Sequence, residues 1–134
     1  MKSRKIIMLC LITVPLITGA VIYYLLAPGV YFVRLADRIT HLNIHIYPRG
    51  SLLIFIRSYV PDIMWSFSLT CVIYVIMGRV SHTFIVAAGA VILMEMMQIG
   101  GAFGTFDLMD MVVQMIGVVV ALYTTNIIMR RKEK

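Results

Sequence analysis

Six acidic residues occur in the 134-residue chain, and three of them, Glu95, Asp107 and Asp110, fall within 95–110. That stretch otherwise reads as membrane-spanning helix. An ionisable group at bilayer depth is costly, so it needs a partner, a water-filled cavity or a function. Glu95 and Gln98 share one helical face. Asp107, Asp110, Gln114 and Gly117 follow at spacings of three, four and three, a single stripe on a helix. Asp62, Ser66 and Thr70 form a second stripe at spacings of four. Grouped carboxylates beside amides can seat a cationic or polar ligand, or hold a divalent cation. Each also has a structural reading. Asp107 and Asp110 suit a helix start, where carboxylates cap free N–H groups and favour the dipole, with Thr105 an alternative cap. Asp62 follows Pro61 and reads as a cap at the start of a helix. Gln114 reads as an interhelical hydrogen-bonding group. Glu95 lies near a helix C-terminus, where the dipole disfavours an anion, so it requires a donor, a cation or a proton.

The elements that position these residues are read from hydropathy. Apolar residues make up 61% of the chain and charged residues 13%, against about 25% charged in soluble domains. The expected fold class is all-α: one domain, an integral membrane bundle of four transmembrane helices at about 6–27, 61–77, 84–99 and 106–129. The first run is longer than the apolar core of a signal peptide, so it is read as an uncleaved span. Pro61 suits a first helical turn. Gly100, Gly101 and Gly104 imply a tight turn between the last two spans. The connection 28–60 is not polar. Arg34, Asp37 and Arg38 share a face opposite apolar neighbours, which predicts a helix lying in the membrane interface. Residues 41–46 alternate as a short strand would, and 51–59 is too short to span by itself.

Basic residues give the orientation. With four spans, Lys2, Arg4, Lys5, Arg79, Arg130, Arg131, Lys132 and Lys134 share one side, and Arg34, Arg38, Arg49 and Arg57 take the other. The excess predicts cytoplasmic termini and an acidic site at the outer face. The net charge of +6 therefore reads as orientation signals and contacts with anionic membrane lipids, not as a nucleic-acid surface. Cys10 and Cys71 have no metal-ligand spacing and read as small buried apolar residues. His41 and His45 stand four apart and could share a metal if helical. His82 reads as solvated. Trp65, Tyr59, Tyr23 and Tyr24 suit interface anchoring.

The text Glu95-x-x-Gln98, a glycine-rich turn, then Gly104-x-x-Asp107-x-x-Asp110-x-x-x-Gln114-x-x-Gly117 resembles the C-terminal signature of the VanZ-like family. These are small multi-span bacterial membrane proteins named for a teicoplanin-resistance accessory protein. Their pattern is E-x-x-Q followed by R-x-x-D-x-x-D-x-x-x-N-x-x-G. The match covers about 95–121, with Pro61-Asp62 a weaker echo. Gln114 replaces the family's Asn, the Arg before the first Asp is absent, and the F-x-P-x-G segment of longer members is missing. The missing Arg weakens any claim, by family precedent, that the pocket binds an anion. The resemblance implies a bacterial cell-membrane protein contributing to glycopeptide resistance, with Glu95, Gln98, Asp107, Asp110 and Gln114, joined by Asp62, as candidate binding residues. No catalytic residue and no cofactor is assigned, and a divalent cation at the acidic cluster stays open. The expected partners are membrane lipids and a cell-envelope ligand or glycopeptide. Apolar faces left by short spans leave a homo-oligomer open. The alternatives are an intramembrane metal-dependent enzyme acting on a lipid-linked substrate and a proton or ion pathway. Against the enzyme, the sequence lacks a nucleophile–His pair and the further aspartates of CDP-alcohol phosphotransferases.

Overall fold

A computed structural model of the protein describes residues 2–28, 30–42, 44–99 and 107–130. The regular elements among the described residues are five helices, with no strand: α1 Lys2–Leu26, α2 Tyr31–Thr40, α3 Ser51–Met77, α4 Val80–Gln98 and α5 Leu108–Arg130. Four of them are long and apolar enough to cross a membrane, over Arg4–Leu26, Ser51–Met77, Val80–Gln98 and Leu108–Met129. The shortest has 19 residues, which at about 1.5 Å per residue just covers a hydrocarbon core. The glycine turn expected at 100–104 lies outside the described residues.

The bundle interior is rich in small side chains, and many large apolar ones face outward. Ser66, Thr70, Cys71, Thr83, Ala87, Ala121 and Thr125 are fully buried. Ile6, Ile17, Ile76, Ile85, Val119 and Tyr123 are exposed. Lipid is as apolar as leucine, so association there relies on close packing and hydrogen bonds, which small residues permit. Three inward threonine hydroxyls return to their own helices: Thr70 donates to the Ser66 carbonyl at 2.7 Å, Thr83 to Arg79 at 2.8 Å and Thr125 to Ala121 at 2.8 Å. Cys71 is buried as expected, whereas Cys10 is exposed on the outer face of α1.

α3 is the central scaffold, packing against α1, α4 and α5. It also corrects the sequence reading. Pro61 does not open a helix. It lies inside a continuous 27-residue helix that begins at Ser51, and the 51–59 segment forms its first turns. Asp62 is accordingly a mid-helix residue and caps nothing. Proline in a helix interior removes a hydrogen bond and crowds the preceding turn, but a packed neighbour in a membrane makes this tolerable. That neighbour is α1: a Cβ on Gly19 would stand 3.5 Å from the Pro61 carbonyl oxygen and 3.2 Å from the Met64 Cβ. The α3–α5 contact is closer still. A Cβ on Gly117 would fall 2.7 Å from the Ile63 carbonyl oxygen and collide with Ser66 Oγ.

The amphipathic segment is α2, with Val33 buried and Arg34 and Arg38 on its more open side. It ends at His41, whose φ of 56° is left-handed and whose N–H donates to the Asp37 carbonyl. His41 and His45 are therefore not on one helix, and the shared-metal option fails. The described residues of the alternating segment after α2 form no strand, and they return to the end of α1. The Ile46 N–H donates to the Leu25 carbonyl at 2.8 Å. His45 Nε2 lies 2.7 Å from Asp37 Oδ2, and the Tyr24 hydroxyl donates to Asp37 Oδ1 at 2.6 Å. Asp37 and His45 thus tether the connection to the end of α1.

Gly117 and Gly89 provide a matched test of the packing. A Cβ added at Gly89 would meet no atom within 4 Å. Gly117→Ala is expected to destabilise the bundle by about 1–3 kcal/mol through overpacking. Gly89→Ala should be neutral or stabilise by about 1 kcal/mol, since alanine is the better helix former. Unfolding of the purified variants in detergent measures both.

Candidate functional site

The site grows from helix ends. Asp107 precedes α5, and its Oδ1 accepts the Met109 N–H at 2.9 Å. It is an exposed N-cap, so the structural reading holds for this residue. One turn further, Asp110 is half-buried, and Gln114 follows at 6% exposure. Gly117 lets this face of α5 press against α3. On α4, Gln98 is half-buried at the last turn, and Glu95 is only 1% exposed. The two helices meet through one buried bond: Gln114 Nε2 donates to Glu95 Oε1 at 2.7 Å.

That bond satisfies half of each side chain. Glu95 Oε2 and Gln114 Oε1 are buried with no hydrogen-bond partner among the described residues. Both side chains line a cavity of about 430 Å³. Asp62, Gln98, Asp107 and Asp110 line the same cavity, so all six candidate residues converge on one space. Three helices supply them: α3 gives Asp62, α4 gives Glu95 and Gln98, and α5, with its cap, gives Asp107, Asp110 and Gln114.

The cavity has further walls that the sequence reading does not assign to it. Arg57, Ser58 and Tyr59 come from the first turns of α3, and Tyr23 from the last turns of α1. A helix drawn from Pro61 leaves Arg57 and Ser58 in a loop. Read as helix, residues 57, 58, 61 and 62 fall on one face, and that spacing is the signal that finds them. Among the described lining residues Arg57 is the one basic side chain, with four acids beside it. Among the described residues the lining contains no His, Cys or Lys. Among the described residues, no three His, Cys, Asp or Glu side chains come together as a metal-holding group. The arrangement suits recognition of a group rich in hydrogen-bond donors.

Comparison with protein-family models, curated proteins and solved structures finds no match for this chain.

The Glu95–Gln114 bond sets the first expectation for the site. Glu95→Ala removes the acceptor of a buried amide and should cost about 1–2 kcal/mol of stability through the bond alone. Glu95→Gln keeps volume and an acceptor and should cost less. Asp107→Ala loses only a cap, about 1 kcal/mol. Unfolding in detergent ranks the three.

Proposed function

We propose that the chain is a VanZ-like protein of the bacterial cell membrane that binds a cationic or polar cell-envelope ligand in its acidic cavity and thereby contributes to resistance to teicoplanin-type glycopeptides. The observation that carries this reading is the convergence of Asp62, Glu95, Gln98, Asp107, Asp110 and Gln114 on one cavity. Five of these are the residues on which the family resemblance rests. Four acids against one Arg57 make the space attractive to a cation.

Orientation supports an outward opening. The cavity lies at the ends of α1 and α4 and the starts of α3 and α5, away from the N-terminus and the end of α5. In chain order, Lys2, Arg4, Lys5, Arg79, Arg130, Arg131, Lys132 and Lys134 belong to the terminal side, which the positive-inside tendency assigns to the cytoplasm. Taking Arg57 into α3 leaves Arg34, Arg38 and Arg49 in the first connection, so the contrast in connection charge does not shrink. A ligand then reaches the cavity from outside the cell.

Deleting the gene is expected to raise teicoplanin susceptibility a few-fold. The wild-type chain should restore resistance, and Glu95→Ala or Asp110→Ala, expressed to the same level, should not. Unchanged susceptibility on deletion, with the protein present beforehand, contradicts the resistance role. Restoration by both variants contradicts the role of the cavity.

A further inference from the structure

We infer that the cavity's ligand presents a primary ammonium group, seated between Glu95 Oε2 and Gln114 Oε1; this rests on the cation-binding reading above and narrows it to one chemical class. The two oxygens are the starting point. Glu95 and Gln114 are 1% and 6% exposed, each has one oxygen bonded to nothing among the described residues, and both line the cavity. A buried acceptor left unpaired is destabilising, more so when charged. Two such oxygens meeting at one bonded pair are a prepared place for a donor.

The kind of donor follows from charge, number and space. Both orphaned atoms are acceptors, and the remaining lining acids Asp62, Asp107 and Asp110 are acceptors when ionised. A group that carries donors and positive charge, and no acceptor, matches them. A primary ammonium has three N–H donors and none to waste. A quaternary ammonium carries the charge without donors, and leaves both oxygens unsatisfied. Space argues against a bare ion held directly by protein. The cavity of about 430 Å³ is many times the roughly 30 Å³ share of one water. The carboxylates surround it without three of them closing into a metal group among the described residues. An organic cation fills such a volume, with its ammonium on the Glu95–Gln114 pair and its remainder beside Tyr23 and Tyr59.

The chain has two glutamines, Gln98 and Gln114, which makes the test direct. Full-length protein carrying ¹⁵N-glutamine, in phosphatidylcholine nanodiscs, gives two side-chain amide signals, and Gln98→Glu assigns them. Butylammonium should shift the Gln114 signal saturably. Tetramethylammonium should not. Glu95→Gln, which adds a third amide signal distinguished by its absence from the wild-type spectrum, should weaken the response of the Gln114 signal to butylammonium about tenfold or more, the loss of a charge-assisted bond, and Asp62→Asn, which leaves the bonded pair intact, should weaken it less. Discs containing phosphatidylethanolamine separate the sources. A Gln114 signal already shifted and insensitive to butylammonium identifies a lipid headgroup; an unshifted, responsive signal identifies a soluble amine. Either supports the ammonium site. A Gln114 signal that responds to Mg²⁺ or tetramethylammonium and not to butylammonium overturns this inference and leaves the cation cavity standing. No response to any of the three overturns both.

Discussion

The hydrogen bond from Gln114 to Glu95 is the contact on which the site depends. It joins α4 to α5 through two side chains that are almost fully buried. Its energetic value as a single bond is modest, about 1 kcal/mol in a membrane. Its structural value lies in what it fixes. With Glu95 Oε1 and Gln114 Nε2 committed to each other, Glu95 Oε2 and Gln114 Oε1 are left without a partner among the described residues, in two side chains that line one cavity. The approach that allows this is set one turn further along α5, where Gly117 lies against Ile63 and Ser66 of α3. A side chain at 117 would push α5 away and take Gln114 and Asp110 with it.

The molecule therefore has two halves of different character. Toward the termini, Met8, Cys71, Tyr74, Ala87, Val118, Ala121 and Leu122 form a dry core. Toward the other end, the helices stop closing on each other and a polar cavity takes the place of that core. Hydroxyls in the dry half, such as Thr70 and Thr125, bond back to their own helices and ask nothing of a neighbour. The connection beside the cavity is tied down as well. Tyr24, Asp37 and His45 link the end of α1, α2 and the returning chain. The wall that Tyr23 contributes is thus anchored at the adjacent residue.

Much of this is legible in the chain because hydropathy and helical spacing are strong signals. The Asp107–Asp110–Gln114–Gly117 stripe and the Glu95–Gln98 pair appear on the faces their spacing requires, and α2 appears where Arg34, Asp37 and Arg38 mark an amphipathic helix. The departures have physical causes. Pro61 follows the pattern of a helix start, but a proline can sit mid-helix where a neighbour such as Gly19 packs over it. That one position hides three wall residues, Arg57, Ser58 and Tyr59. His41 and His45 look like a helical pair because spacing carries no information about a left-handed residue between helix and loop. The bond between Glu95 and Gln114 joins residues on different helices, and no local pattern encodes such a pairing; polarity alone places both among the candidates.

Whether three helix ends share one outward cavity is decided by labelling one position on each. In a chain whose Cys10 and Cys71 are replaced, Arg57→Cys on α3, Gln98→Cys on α4 and Asp107→Cys before α5 are each treated in intact cells with a membrane-impermeant maleimide. All three are expected to react without permeabilisation, while Lys5→Cys reacts only after it. Reaction of any of the three solely from the cytoplasmic side would mean that these helix ends do not meet at an outward-facing space.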